Sequence, residues 1–296
     1  MPTVSVVIPT YNRRPLLMEA VESVRAQTFT DWELVVADDG STDGSADAVE
    51  ALHDPRVRVL RLPHAGRAAS VRNAGVRAAR GEWVAFLDSD DLWEPHKLAV
   101  QLDLARVSGA RWSYTRASMM DEVGLPVPFR AGGPALRSGH VVRELLTSEV
   151  GTPISTLMVS RALLEEVGGF DEELRLRDDL DLALRLAARE PILAVDEPLT
   201  RAREHSGRTS SAADGPHEAT FRVYERLLRR ERDPALRRIA MEQSALLLVD
   251  GAVHEAAHGR PGRAFGLLRR SLAYDPPPAR WVRAAASVTL RTLGLR

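Results

Sequence analysis

Three unbroken apolar runs, each closing on a polar cluster, constrain this chain more than any other feature. Val4 to Ile8 is a β-branched run ended by Pro9, Trp32 to Ala37 leads into Asp38-Asp39-Gly40-Ser41-Thr42-Asp43, and Trp83 to Leu87 leads directly into Asp88. Continuous apolar character is what a strand buried on both faces requires. Between these runs the spacing predicts helices: Arg14 to Gln27 carries Leu17, Ala20, Val21 and Val24 on one face, and helical stretches include Val49 and Leu52 and then Ala69 to Ala79. Val57 to Leu62 adds a further strand. Strand, loop and helix in alternation imply a mostly parallel sheet covered on both faces. Such sheets bind ligands beyond the carboxyl ends of their strands. The clusters after Ile8, Ala37 and Leu87 are therefore expected to converge on one crevice.

From Leu92 to Pro153 the pattern weakens. It predicts a helix over Lys97 to Val107, a strand over Arg111 to Thr115 and a Gly/Pro-rich passage from Gly124 to Gly139, of the kind that shapes binding sites. Ile154 to Ser160 reads as a strand, Arg161 to Val167 as a helix stopped by Gly168-Gly169, Asp179 to Arg189 as a helix, and Ile192 to Val195 as one more strand. Beyond Pro216 the composition turns to Ala, Leu and Arg with helical spacing. Gly251 to Asp275 reads as a helix hairpin turning at Gly259-Arg260-Pro261-Gly262, which must pack against a neighbour to bury its apolar face. Two modules are expected, residues 1–215 and a helical 216–296.

Composition narrows the function classes. A chain of 296 residues with 44% hydrophobic and 27% charged residues can bury a full core, which sets disordered and fibrous classes aside. A net charge of -1 lacks the basic excess of a protein built around nucleic acid, so no nucleic-acid partner is expected. Without cysteine there is no disulfide, thiolate nucleophile or Cys-ligated zinc. The first residues lack a basic segment and their apolar run is too short for a signal sequence, and no apolar stretch reaches the ~20 residues of a spanning helix. A cytoplasmic location is the expectation.

The polar clusters carry the chemistry. Pro9-Thr10-Tyr11-Asn12-Arg13 sets a hydroxyl and an aromatic ring just past a strand end, where a planar base can stack on Tyr11, although an ordinary turn uses the same residues. Asp38 and Asp39 repel each other unless hydrogen bonds or a ligand offset the repulsion. A carboxylate there can accept the imide N–H of a pyrimidine base, and Ser41, Thr42 or Asp43 can equally cap the next helix. Asp88-Ser89-Asp90-Asp91 places three acids in four positions at a strand mouth. Such oxygen ligands suit Mg²⁺ or Mn²⁺ holding a diphosphate; the alternative is a solvated cap on the helix that follows Glu94.

In order, Ser5-Val6-Val7-Ile8-Pro9-Thr10-Tyr11-Asn12, Asp38-Asp39-Gly40-Ser41-Thr42-Asp43, Arg72-Asn73-Ala74-Gly75 and Phe86-Leu87-Asp88-Ser89-Asp90-Asp91 resemble the successive signatures of family 2 glycosyltransferases. The resemblance spans roughly Thr3 to Ser211. It implies the GT-A fold, a nucleotide-diphosphate-sugar donor, a divalent metal (Mn²⁺ or Mg²⁺) and inversion at the anomeric carbon. On that pattern residues 1–215 form the catalytic domain, with a nucleotide-sugar part over about 1–91 and an acceptor-side part over about 92–215.

The same resemblance distributes the roles. Pro9, Thr10, Tyr11, Asp38, Asp39, Arg72, Asp88, Ser89 and Asp90 fall on the donor side, with Asp90 and Asp88 as metal ligands. Arg177-Asp178-Asp179-Leu180 matches the acidic pair that precedes a helix, with Asp178 where Glu is more usual, so Asp179 is the expected catalytic base and Asp178 an acceptor-side residue. Phe170, in Gly168-Gly169-Phe170-Asp171, also falls on the acceptor side, although a helix stop followed by a packed aromatic explains that segment as well. His205 follows at the family's interval as a further metal ligand or a diphosphate contact. The acceptor is a carbohydrate, lipid-linked or other hydroxyl.

The tail from Pro276 carries Arg280, Arg283, Arg291 and Arg296 without an acid, and Trp281, Val282, Val288, Leu290, Leu293 and Leu295 can supply an apolar side. That suits a helix on an anionic membrane, and it equally suits a terminal helix packed on its own protein. Two other functions compete. Nucleotidyl transfer shares the sheet and the metal, but the glycine-rich, lysine-containing phosphate loop is missing from Pro9 to Arg14. An inactive scaffold would not need Asp39, Asp88, Asp90 and Asp179 together.

Overall fold

The computed structural model describes residues 1–128, 135–204 and 216–293. The chain forms two compact units, one of residues 1–141 and 148–206, the other of residues 142–147 and 207–296.

The first unit opens with β1 (Val4–Thr10), α1 (Arg14–Arg25), β2 (Trp32–Asp38), α2 (Ser45–Glu50), β3 (Val57–Arg61), α3 (Ala68–Ala78) and β4 (Trp83–Phe86). β3, β2, β1 and β4 lie side by side and parallel, with Val4 opposite both Trp32 and Trp83. Each apolar run is a strand because every residue of it is enclosed: Val4, Val6, Val7, Ile8, Leu34, Val35, Val36, Val84, Ala85 and Phe86 have no exposed surface. Leu17, Ala20, Val21 and Val24 of α1 seal one side of this core. α3 approaches β1 so closely that a Cβ on Gly75 would sit 2.4 Å from Val7 Cγ1.

The second half of this unit adds β5 (Leu92–Trp93), α4 (Lys97–Ser108), β6 (Trp112–Met120), β7 (Pro126–Val127), β8 (Met158–Ser160), α6 (Arg161–Val167), α7 (Asp178–Ala187) and β9 (Leu193–Arg203); α5 (Val142–Leu146) belongs with the C-terminal helices. The sheet continues β4-β8-β6-β9-β5 and becomes mixed: β8 runs antiparallel to β4 and β6, β6 and β9 are parallel, and β5 is antiparallel to β9. The parallel expectation thus holds for the first four strands. The strand expected over Ile154 to Ser160 is shorter, because Ile154–Thr156 turn as a 3-10 helix. There the Thr156 hydroxyl donates to the Pro153 carbonyl at 2.6 Å and the Ser155 hydroxyl to Asp91 at 2.6 Å, so local side chains take the backbone out of the sheet. β6 and β9 both run well past the expected strands.

The second unit holds α8 (Pro216–Arg230), α9 (Pro234–Ala257), α10 (Pro261–Ser271) and α11 (Pro278–Thr292) besides α5. α9 and α10 make the expected hairpin, and α11 completes its core: Val249, Ala252, Ala256, Ala264, Leu268, Ala284 and Val288 pack together.

Candidate active site

Three loops leave the carboxyl ends of β1, β2 and β4 and are tied to one another. The Asn12 N–H donates to Ser41 Oγ at 2.9 Å and the Thr42 N–H to Asn12 Oδ1 at 2.8 Å, joining the first loop to the second. The Arg13 guanidinium pairs with the Asp90 carboxylate, joining the first to the third. The convergence expected from the apolar runs is thus built from named side chains, with Asn12 in the left-handed region at φ 49 to make the turn.

Asp38 and Asp39 are both buried, and their repulsion is offset by backbone donors. Asp38 accepts the Ser41 N–H at 3.3 Å, while Asp39 accepts the N–H groups of Ala65 and Gly66 at 2.7 and 2.9 Å. The His64 ring lies 3.0 Å from Asp39 Oδ2 and stacks on Tyr11 with centroids 4.1 Å apart. Tyr11 is exposed and Thr10 buried, with no hydrogen bond to the Thr10 hydroxyl among the described residues. The N-cap of α2 is Gly44, with no side-chain cap hydrogen bond, rather than Ser41, Thr42 or Asp43; Asp43 accepts the Ser45 N–H at 3.0 Å, and Asp39 is not spent on a cap.

Asp88, Asp90 and Asp91 each offer an oxygen within 4.8 Å of the others. They do not cap α4, whose N-cap is His96 without a side-chain hydrogen bond. Burial pushes the Asp91 carboxyl up to about 7, with Asp88 and Asp90 adding to the effect, and burial likewise raises Asp88 against the opposing pull of Arg72. A cluster of acids that resists full ionisation fits a hard divalent cation, which would relieve the repulsion with oxygen ligands alone. Asp91 is partly committed already, since its carboxylate accepts the Ser155 hydroxyl and the Arg203 N–H at 2.6 and 3.0 Å. Ser89 is buried between its acidic neighbours.

Arg72, on α3, joins this cluster to the acidic pair of α7. Its buried guanidinium donates to Asp88 Oδ1 at 2.7 Å and to Asp178 Oδ2 at 2.6 Å, above the Phe170 ring. α7 starts abruptly after Arg177, which takes φ 64, and Asp178 and Asp179 occupy its first turn. Asp179 Oδ1 accepts the Leu180 N–H at 2.8 Å, and burial followed by repulsion from Asp178 raises its carboxyl above the usual aspartate range. Phe170 is buried edge-on against Phe86 with centroids 5.2 Å apart, and Gly168 ends α6 in the left-handed region, as the packed-aromatic reading predicts.

Several residues that build the site have no role in the reading of the sequence. Asn73 holds Phe170 through both its N–H and its carbonyl, at 2.9 Å each. Arg203, fully buried at the end of β9, donates from its backbone to Asp91 and from Nε to the Asp90 carbonyl at 3.0 Å, and from Nη2 to Glu19 at 2.6 Å. Neither Arg203 nor Arg13 has a local signal beyond adjacency to a motif. Asn73 lay inside one. His205 lies outside the described residues.

Residues 5–115 match the family described as Glycosyl transferase family 2. A UDP-Glc:alpha-D-GlcNAc-diphosphoundecaprenol beta-1,3-glucosyltransferase of Escherichia coli is 36% identical over 161 residues, 54% of this chain and 61% of that one. Staphylococcus aureus TarS 1-349, solved with UDP-GlcNAc, superposes with a TM-score of 0.72 at 20% identity, over 99% of this chain and 89% of that one. A mannosyltransferase of Pyrobaculum calidifontis, solved with GDP-Man and Mn²⁺, gives 0.64 at 20% identity, over 98% and 80%. The fold is GT-A, and residues 5–115 carry the sequence pattern of family 2 glycosyltransferases. It spans less than two thirds of the Escherichia coli enzyme and 34% of two curated relatives that match it over 213 residues.

Proposed function

We propose that the protein transfers a sugar from a nucleoside-diphosphate sugar to an acceptor hydroxyl, with inversion, in the assembly of a polysaccharide or glycoconjugate. The observation that carries this is the Arg72 bridge, which sets the Asp88 cluster beside the acidic pair that opens α7. In this reading the base stacks on Tyr11 and its imide N–H meets Asp39, with Asp38, Pro9 and Thr10 shaping the slot. Asp88 and Asp90 hold a divalent cation, Mn²⁺ or Mg²⁺, with Ser89 between them and His205 as a further ligand. That ion neutralises charge on the departing diphosphate when bound.

Asp179 accepts the acceptor's proton as its oxygen attacks the anomeric carbon and the bond to the diphosphate breaks. A raised affinity for protons suits that task. Asp178 holds Arg72 in place, and Phe170 supports Arg72 from below. The diphosphoundecaprenol acceptor named for the Escherichia coli relative makes a lipid-linked sugar the first acceptor to try.

The test is a panel of UDP- and GDP-sugars incubated with the protein and Mn²⁺ or Mg²⁺, read as metal-dependent thermal stabilisation and as release of nucleoside diphosphate. Stabilisation by one donor, abolished by a chelator, is the expected result. Pyrophosphate release from a nucleoside triphosphate and a sugar phosphate would show nucleotidyl transfer instead. No nucleotide binding with metal present would leave a scaffold.

A further inference from the structure

Eleven large apolar residues are exposed among the described residues, and five of them, Phe265, Leu272, Val282, Leu290 and Leu293, lie on α10, α11 and their flanks. Inward, α11 presents Ala284, Val288 and Trp281 to the core of the second unit. Outward it carries a second stripe, Ala279, Val282, Ala286, Leu290 and Leu293, whose spacing of three, four, four and three residues keeps them on one face. The sequence alone read a single apolar side here. The packed side accounts for Trp281 and Val288 and leaves Val282, Leu290 and Leu293 unexplained, at 60%, 45% and 67% exposure.

Charge supplies the second observation. From Pro261 to Leu293 there are six arginines and a single acid, Asp275. Arg270 pairs with Glu218 and Arg280 with Asp250, while Arg269, Arg283 and Arg291 are exposed and form no ion pair among the described residues. Arg283 and Arg291, each directly following a residue of the apolar stripe, lie along one side of it. No helix among the described residues is long and apolar enough to cross a membrane.

We infer that the outward face of α11, with Arg283 and Arg291, docks on an anionic lipid bilayer, the helix lying in the plane of the headgroups. An apolar strip one helix long, edged by unpaired cations, matches an interface where acyl chains meet negative headgroups. A protein partner would also cover the apolar strip, but the acid-free arginine edge favours the lipid surface. This goes beyond sugar transfer and does not depend on it.

The test uses the full chain in flotation with vesicles of phosphatidylcholine alone or mixed equally with phosphatidylglycerol. Wild-type protein floats with the mixed vesicles only. Val282→Ser with Leu290→Ser, and separately Arg283→Glu with Arg291→Glu, each lower the bound fraction by about tenfold or more. If the serine pair unfolds the chain, the arginine pair, whose side chains are solvent-facing, decides the matter. Failure of wild type to float, equal flotation of the arginine variant, or a wild-type dimer that these variants dissociate would overturn the inference. Nucleotide-dependent stabilisation of the same preparations reports on the transfer reading separately, so either can fail alone.

Discussion

Arg72 and Asp178 meet at 2.6 Å across 106 residues of chain, and the same guanidinium reaches Asp88 at 2.7 Å. One side chain thus couples a loop after a sheet strand to the start of a distant helix. Breaking a buried pair leaves uncompensated charge, which costs about 3–5 kcal/mol. Arg72→Met is expected to lose stability on that scale in urea unfolding and to lose transfer. Arg72→Lys should retain part of the stability but little transfer, because an ammonium cannot span both carboxylates as a planar fork does.

Asp179→Asn keeps the shape of the site and removes the proposed proton acceptor. Nucleotide binding should change little while turnover falls by about 10²–10⁴-fold, read by calorimetry and by steady-state assay with Mn²⁺. Normal turnover in this variant would sink the base assignment.

The pH dependence follows from the same residue. Burial raises the Asp179 carboxyl, so the folded protein holds this proton to a higher pH than the unfolded chain does. In its proposed role the base is active only when deprotonated, and turnover should therefore fall on acidification through a value above the ordinary aspartate value of 3.8. Ionising Asp179 above that point opposes folding, so Asp179→Asn should be no less stable than wild type at neutral pH. A pH–rate profile and paired thermal melts check both statements.

Lys97 has no exposed surface; its ammonium faces the Trp93 ring at 4.3 Å and bonds Gln101 at 2.5 Å, and among the described residues it forms no ion pair. Burial lowers its affinity for protons well below that of an ordinary lysine. The unfolded chain then binds more protons than the folded one from the depressed value up to the ordinary lysine value of 10.5, so Lys97 makes stability rise with pH across that interval. Lys97→Met should raise the neutral-pH melting temperature and remove the alkaline gain. Identical pH slopes for the two proteins would show that Lys97 is not the source.

Gly75→Ala places a methyl group against Val7 of a central strand. Overpacking of this kind costs about 1–3 kcal/mol. Because α3 carries Arg72, the variant should also weaken metal-dependent nucleotide binding, and Gly75→Ala with Val7→Ala should recover part of both.

How far the sequence could be read depended on range. The strands through Ile8, Ala37 and Leu87 were legible because burial on both faces writes itself into every residue, and the acids at their ends were legible because they sit beside those runs. Ile154 to Thr156 looked equally strand-like, but the hydroxyls of Ser155 and Thr156 bond elsewhere. The pairing of Arg13 with Asp90, the commitment of Asp91 to Ser155 and the bonds of Arg203 to Asp90, Asp91 and Glu19 join residues far apart in the chain, and no local spacing encodes them. Arginine is also abundant here, which hides the two or three guanidiniums that matter.

Asn73 takes the Phe170 N–H and gives to the Phe170 carbonyl as a neighbouring strand would, so a single amide stands in for a piece of sheet. The imitation needs both a donor and an acceptor on one short stem, which Asp, Leu or Gln cannot supply in that place. α3 and the loop that follows α6 are thereby fastened as one body, so that a displacement of either carries the other with it.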